Sequence, residues 1–458
     1  MRAVGIFPAG GLRETADGLR NELIGRTVRD AAGRSPFYRR HFADLDLSII
    51  HRIEDLAVLP RLAKSDVRAA GYSILCGGQI PSHVQNTSGS TGSPLLLFRS
   101  QEEMTFIRAF FSHVHGEEAG DRLRPVVLAL TIPHHGTPTP IPGHAFVLQT
   151  ALTDDELLDQ SITLLESSFD LHGVENRVSA IVGSFSQILV LTNYLLENGR
   201  MDLAESIRHI ELTGDYLTPR WRKILASVWR CSIVDRYSLA EIFGGATHCP
   251  LCGSYHFDPH VIPELVVPGK QEPVEAGVIG ELLLTSLSPF VQYQPFIRYV
   301  SGDLFVRRAI GCRHESWEFR GRTTHALFDP RDPSRLLIDG RAVIDAIDVL
   351  PTVSRPSRYR DLTALSYSRS SGRPVYAGSV EVVGTRVRAR LRIELAHTPA
   401  LFPDATREIV DAVGEAVLSQ APVMRNAVAA GDIHFEVECV PPGVIQPLEK
   451  RSQVWEIS

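Results

Sequence analysis

The sequence predicts an α/β protein with a large N-terminal domain over 1–322 and a small α+β C-terminal domain over 323–458. Three observations predict it. From about 104 to 306, short apolar runs alternate with helical stretches, the rhythm of β-turn-α units that carry ligands at the carboxyl ends of their strands. Residues 261–306 change character: short apolar runs are separated by turn residues such as Gly269, Gly277 and Gly280, which reads as a β-rich subdomain. Beyond a boundary near 321–326, the alternating runs Val380–Val383 and Val387–Ile393 and a helix at 405–419 form a separate pattern.

Each element follows from local pattern. Residues 14–44 read as helix, with Leu19, Leu23, Ile24 and Val28 on one side and an interruption at Ser35-Pro36-Phe37-Tyr38. Leu59-Pro60 ends one short segment and Lys64-Ser65-Asp66-Val67 starts another. Leu95–Phe98 and Val126–Leu130 are apolar enough for strands. An amphipathic helix over 154–168 opens on Thr153-Asp154-Asp155. The strand Ser179–Val182 runs through Gly183-Ser184 into a helix ending near Leu196. His209–Thr213 ends in Gly214-Asp215; a helix at 218–229 precedes the strand Cys231–Val234. No internal repeat is present.

The stretch from Asn86 to Pro94 stands out. Seven of its nine residues, Thr87, Ser88, Gly89, Ser90, Thr91, Gly92 and Ser93, have a small hydroxyl side chain or none. Glycines let backbone N–H groups turn toward an anion, and Ser and Thr add short donors, so the run suits a polyphosphate. It is not a Walker A loop, since Gly89 and Gly92 lie three apart and no Lys-Ser or Lys-Thr follows. A flexible linker has the same composition. The strand-like run that follows at once favours a hairpin placing the loop over a site.

Composition narrows the function classes. The 44% apolar and 22% charged content is that of an ordinary globular chain, long enough at 458 residues for several cores. A net charge of −6 argues against a general nucleic-acid surface. No segment approaches a membrane span and the N-terminus lacks the apolar run of a signal peptide, so a cytoplasmic protein, monomeric or homodimeric, is expected. Cys76, Cys231, Cys249, Cys252, Cys312 and Cys439 are too sparse for a disulfide scaffold. Lysine is scarce: Lys64, Lys223, Lys270 and Lys450 stand against 43 arginines. Each compact ammonium is therefore conspicuous in a chain that otherwise uses the planar guanidinium.

Taken in order, these motifs resemble the acyl-adenylate-forming superfamily over nearly the whole chain. Thr87–Pro94 resembles its phosphate loop, and Tyr237-Ser238-Leu239-Ala240-Glu241 its Tyr-Gly-x-Thr-Glu motif, with Asp235 and Arg236 just ahead. Gly214-Asp215 matches its adenine-contacting turn, Arg298–Leu304 its Tyr-Arg-Thr-Gly-Asp motif, and Gly321-Arg322 follows at the family's distance. Ser35-Pro36-Phe37-Tyr38-Arg39 and Leu59-Pro60-Arg61-Leu62-Ala63-Lys64 are similar to the N-terminus of phenylacetate–coenzyme A ligase-like members.

The resemblance implies ATP-dependent activation of a carboxylic acid to an acyl-adenylate, and favours an aryl or arylacetic acid. Coenzyme A would then accept the acyl group, with an amine or a carrier-protein thiol as the alternative acceptor. A scaffold that binds nucleotide without chemistry is the third reading. Attack on the α-phosphate expels pyrophosphate, so donors and cations are needed there. The loop would hold the leaving phosphates; Glu241 is a hard oxygen ligand for Mg²⁺; Asp303 can accept two ribose hydroxyls and Arg322 can brace ribose or phosphate. Lys450, within the C-terminal run Pro442–Val454, would swing in for adenylation and withdraw as a mobile C-terminal domain turns, with Arg451 the competing cation. The acid should lie near Gly183-Ser184, Tyr237 and the His134-His135-Gly136 turn, where His135 could meet a carboxylate or a ring hydroxyl. Three departures stand out. Ser93 replaces the Lys often found in the loop, Ser238 and Ala240 replace Gly and Thr, and Thr324-His325 replaces an acidic hinge.

Cys249-Pro250-Leu251-Cys252-Gly253 has zinc-knuckle spacing. A structural Zn²⁺ held by Cys249, Cys252, Cys312 and one histidine is expected. His256 is preferred, with His248 and His314 as alternatives. Four protein ligands would leave no open position for chemistry.

Overall fold

The computed structural model describes residues 12–87, 95–109, 123–131, 145–152, 154–214, 216–308, 312, 315–355, 372–445 and 454–457. At the N-terminus the helical stretch expected at 14–44 forms α1 (Leu12–Arg34) and α2 (Pro36–His41), broken at the interruption expected at Ser35-Pro36. The break is chemical. Ser35 caps α2 by accepting the Tyr38 N–H, and Pro36 at the first helical position has no N–H to leave unpaired. A further short helix, α3, covers Lys64–Ala70. A two-stranded antiparallel hairpin, β1 (Pro81–Asn86) and β2 (Leu96–Ser100), then leads into α4 over 101–109.

The α/β rhythm is present as expected. The parallel strands are β3 (Arg124–Leu130), β4 (Phe146–Thr150), β5 (Val174–Gly183), β6 (His209–Thr213) and β7 (Ser232–Ser238). They alternate with α5 (Asp155–Glu166), α6 (Phe185–Glu197) and α7 (Pro219–Trp229). Each of these helices opens on the residue that sequence chemistry would choose: Asp154, Ser184 and Thr218 all accept a backbone N–H at their N-caps. Ile188, Leu191 and Leu195 on α6 are fully buried against this half of the sheet, each contributing about 1.5–3 kcal/mol by transfer from water.

The β-rich segment turns out to be continuous with that sheet. After β7 come β8 (Gly245–His248), β9 (Tyr255–Phe257), β10 (Val261–Val266), β11 (Ile279–Ser286), β12 (Tyr299–Arg308) and β13 (Ser316–Arg322). Antiparallel β8 pairs directly with β7, so among the described residues one 11-stranded sheet runs β10-β11-β12-β13-β9-β8-β7-β6-β5-β3-β4. Its antiparallel half shares a core with α1 and α2, including Ile24, Val28 and Tyr38.

A third core gathers residues between Leu327 and Trp455. It contains the hairpin β14 (Leu327–Asp329) and β15 (Asp332–Ile338), then α8 (Gly340–Asp348). A four-stranded sheet follows in the order β18 (Ile433–Val440), β17 (Arg386–Glu394), β16 (Tyr376–Val383), β19 (Trp455–Ile457). Helices α9 (Pro403–Gln420) and α10 (Pro422–Ala429) pack on it. Several links from this core to the large sheet are polar. Thr218 Oγ1 donates to Asp348 Oδ2 at 2.6 Å and Tyr216 Oη to Asp345 Oδ1 at 3.0 Å. Arg320 pairs with Asp339 at 2.8 Å, and Arg341 pairs with Glu318 at 2.8 Å. Gly321, at φ +106°, lets its backbone come so close to Gly340 that a Cβ would sit 3.1 Å from the Gly340 Cα.

Candidate active site

The carboxyl ends of β6 and β7 open onto a cleft of about 770 Å³, mouth included. Gly214 follows β6 at φ +84°, a turn that only glycine adopts freely. The ends are tied together where Thr213 Oγ1 meets Ser238 Oγ at 2.6 Å. Gly214, Tyr237 and Ser238 line one side of the cleft, Asp303 and Arg322 another. His325, Arg341 and Arg373 reach it from the C-terminal part of the chain.

Asp303 is the electrostatic centre. It lies opposite Arg322 in the β12–β13 register and is 2% exposed. Arg322 Nε donates to its Oδ1 at 3.0 Å, and Tyr237 Oη donates to its Oδ2 at 2.8 Å. Asp303 in turn raises the Arg322 pKa, while burial and then Asp303 push the Tyr237 phenol well up. Each Asp303 oxygen holds one donor, which leaves each a lone pair for a ligand hydroxyl.

Glu241 follows β7, buried at 6% exposure. Its Oε1 accepts from Tyr299 Oη at 2.8 Å and from Lys64 Nζ at 3.1 Å. Lys64 is the first helical residue of α3, where the macrodipole disfavours a cation. Asp66 in the same turn accepts the Ala63 N–H and relieves that conflict. A lysine placed against a local preference, in a chain with four of them, marks a charge wanted at this point. Sequence reasoning placed Lys64 only in an N-terminal motif; scarcity was the signal that could have promoted it. Tyr299, Tyr216, Arg341, His325 and Arg373 also went unassigned.

Other expected residues take different parts. Thr87 closes the base of the loop, its N–H donating to Leu95 O at 2.9 Å and its Oγ1 accepting the Leu95 N–H at 3.1 Å. Ser88, Gly89, Ser90, Thr91 and Gly92 lie outside the described residues, as do His135, Gly136, Asp215 and Lys450. Asp235 and Arg236 border the cleft, but internal partners take their charged ends. Asp235 accepts from Arg222 and from Tyr255, each at 2.7 Å; Arg236 pairs with Asp258 at 2.9 Å. Gly183 and Ser184 are absent from the cleft lining. Ser184 spends its side chain in a capping box with Gln187, and a Cβ on Gly183 would press on Leu130 at 3.1 Å.

The cysteine cluster assembles around one histidine. The ligand atoms of Cys249, Cys252, His256 and Cys312 all lie within 4.8 Å of one another, near the edge lengths of about 3.4–3.8 Å that tetrahedral zinc sets between its donors. Cys252 Sγ and His256 Nε2 are 3.4 Å apart, and His256 Nδ1 faces Glu315 O at 2.8 Å, the outer contact that fixes a ligating ring. The β8–β9 register separates His256 from His248: His248 pairs across from Tyr255 and His256 from Thr247, so they occupy opposite faces, while His314 lies outside the described residues.

His325 sits in the turn Thr323–His325, with Nε2 buried and without a hydrogen-bond partner among the described residues. Burial, then Arg373 and Arg322, push its pKa down to about 3. A histidine held neutral in the fold contributes stability above its unfolded pKa of about 6.5, lost as pH falls toward 3. Urea unfolding between pH 7 and 4 should show that loss, and His325→Asn should flatten it by about 1–3 kcal/mol at pH 4.

No protein-family model matches the chain. It is similar to the phenylacetate-coenzyme A ligase of Thermus thermophilus, 24% identical over 422 residues, covering 88% of this chain and 86% of that one. Among solved structures, a 2-hydroxyisobutyryl-CoA ligase in the postadenylation state with 2-HIB-AMP superposes with a TM-score of 0.65 at 16% identity, covering 99% of this chain and 91% of that chain. A GH3.15 acyl acid amido synthetase gives 0.56 at 14% identity, covering 94% and 87%. The chain has the fold of acyl-adenylate-forming enzymes, which bears out the resemblance read from the motifs. Among the described residues no helix is long and apolar enough to cross a membrane.

Proposed function

We propose that this protein activates a carboxylic acid with ATP, releasing pyrophosphate, and passes the acyl group from the adenylate to coenzyme A. The observation that carries the reading is the cleft in which Gly214, Tyr237, Asp303 and Arg322 converge beside the Glu241–Lys64 pair. Asp303 would receive the ribose hydroxyls, held in place by Tyr237 and Arg322. The acid carboxylate attacks the α-phosphorus, the bond to the bridging oxygen breaks, and pyrophosphate leaves with that electron pair. Lys64 supplies a positive charge that Ser93 does not, and Lys450 a second from the C-terminal segment. Tyr299 and Lys64 both address Glu241 Oε1, which leaves Oε2 as the oxygen for Mg²⁺. Bound there, the ion would neutralise phosphate charge. Residues 323–458 would act as the mobile domain between the two half-reactions.

The acid is taken to be aryl or arylacetic, by likeness to the Thermus ligase. Pyrophosphate exchange across a panel of such acids is the test. Absence of exchange with every acid, in folded protein, would rule the reading out. Product masses with coenzyme A and with amines then separate thioester from amide.

The four-residue cluster fits a structural Zn²⁺ that clips the β8–β9 turn to the segment before β13. One zinc per chain is expected in the purified protein by metal analysis, falling well below one in Cys249→Ser, with a melting temperature lowered by several degrees.

A further inference from the structure

Lys64 and Glu241 meet across 177 positions, and α3 does little to bring this about. The helix is seven residues long and buries only Val67. Its place is set by the segment just ahead of it. Leu59 and Leu62 are buried, and Leu62 is laid alongside β12 in a parallel bridge to Tyr299. The Leu62 N–H donates to Arg298 O at 2.9 Å, and the Val300 N–H donates to Leu62 O at 3.0 Å. Lys64 follows two residues later.

Arg298 gathers this segment. It immediately precedes β12 and is 1% exposed. Its Nη1 donates to Leu59 O and to Gln271 Oε1 at 3.0 Å, with Ala57 O also in reach at 3.3 Å. Its Nε donates to Glu264 Oε1 at 3.1 Å, and its backbone N–H to Thr285 Oγ1 at 2.9 Å. The planar fork serves a carboxylate and backbone carbonyls at once, which a compact ammonium cannot do. The Arg298 φ is +52°, a conformation that a residue with a side chain seldom adopts and that persists where the surroundings enforce it.

Arg298 and Glu264 form a buried ion pair, and burial pushes the Glu264 carboxyl up to about 7 even with that cation beside it. Such a pair is a weak source of stability, because desolvation offsets the attraction. What it fixes is geometry. The Arg298 side chain holds Ala57 and Leu59, and its carbonyl holds Leu62. The next residue, Tyr299, donates to Glu241 Oε1 at 2.8 Å, and Lys64 Nζ donates to the same oxygen at 3.1 Å. Both donors to Glu241 thus take their places from one residue.

We propose that Arg298 is a positioning residue for adenylation: it seats the Leu59–Leu62 segment on β12 so that Lys64 and Tyr299 converge on one oxygen of Glu241. The role rests on the adenylation reading of Glu241 and Lys64.

Arg298→Lys keeps a charge for Glu264 and loses the fork. In folded full-length protein, pyrophosphate exchange should slow about tenfold or more, since a displacement on the order of 1 Å can cost about a hundredfold. The KM for ATP should stay within about twofold of wild type. Added to Lys64→Met, the same substitution should slow exchange much less than it does alone. Melting temperatures should show the same coupling: Lys64→Met should cost the wild type several degrees and the Arg298→Lys variant almost none. An Arg298→Lys protein with wild-type exchange, a loss confined to the KM for ATP, or losses that multiply with those of Lys64→Met would overturn the proposal. If Arg298→Lys does not fold, Thr285→Val carries the test. It is close in shape and removes only the acceptor of the Arg298 N–H, so exchange should slow about threefold or more, and much less in Lys64→Met. An unchanged rate in that variant overturns the proposal equally. No exchange by the wild type with any acid removes the adenylation reading and this role with it; equal exchange by wild type and variant removes the role alone.

Discussion

Asp303→Asn should raise the KM for ATP in pyrophosphate exchange about 100-fold or more while destabilising the protein by about 2–3 kcal/mol. The first figure follows from the two proposed ribose contacts changing from charged to neutral, each worth about 1.5–3 kcal/mol when an ion is involved. The second comes from leaving Arg322 without its counterion. Breaking a buried pair costs about 3–5 kcal/mol, reduced here because the Arg322 side chain is 27% exposed. Asn still accepts from Tyr237, so the ring should stay in place. Urea unfolding and ATP-dependent exchange measure the two effects separately. A folded variant with an ATP KM within a few-fold of wild type would reduce Asp303 to a structural anchor for Tyr237.

The second large effect concerns Glu241 and Lys64. Glu241→Gln should slow exchange by about 10²–10³-fold, the range for removing one preorganised electrostatic contact, and should shift its Mg²⁺ dependence to higher concentration. Gln keeps an acceptor for Tyr299, so stability should change little. Lys64→Met should slow exchange by a similar factor and also cost stability, since it strips the cation from a carboxylate that is 6% exposed. Because the two groups touch, the double variant should lose much less than the product of the single effects. Multiplicative losses would show that they serve separate steps.

Much of the fold was legible because its punctuation is local. Ser35-Pro36, Asp154, Ser184 and Thr218-Pro219 each name a helix start within a few residues, and each caps its helix in the structure. Strand existence was readable from apolar runs, but strand partners were not. Nothing in residues 261–306 says that β8 will pair with β7 and fuse the segment into one sheet. The motif residues Tyr237, Asp303 and Arg322 were readable by order along the chain, and the structure brings them together. Lys64 and Glu241 are 177 positions apart, and only the folded chain shows them paired. Ser184 illustrates the opposite limit: a hydroxyl at a strand end looks equally like a substrate contact and a helix cap, and here the cap prevails. The choice of His256 over His248 depends on strand register, which a spacing rule does not contain.

The polar character of the seam has a thermal consequence. The links named between the large sheet and the 327–455 core are Arg–carboxylate and hydroxyl–carboxylate pairs: Arg320 with Asp339, Arg341 with Glu318, Tyr216 with Asp345, Thr218 with Asp348. Separating such groups exposes polar surface, which lowers heat capacity slightly, whereas apolar exposure raises it. Parting the two bodies along these links should therefore carry a smaller heat-capacity change than opening an apolar interface of the same size. The proposed balance between closed and open forms would then vary gently with temperature.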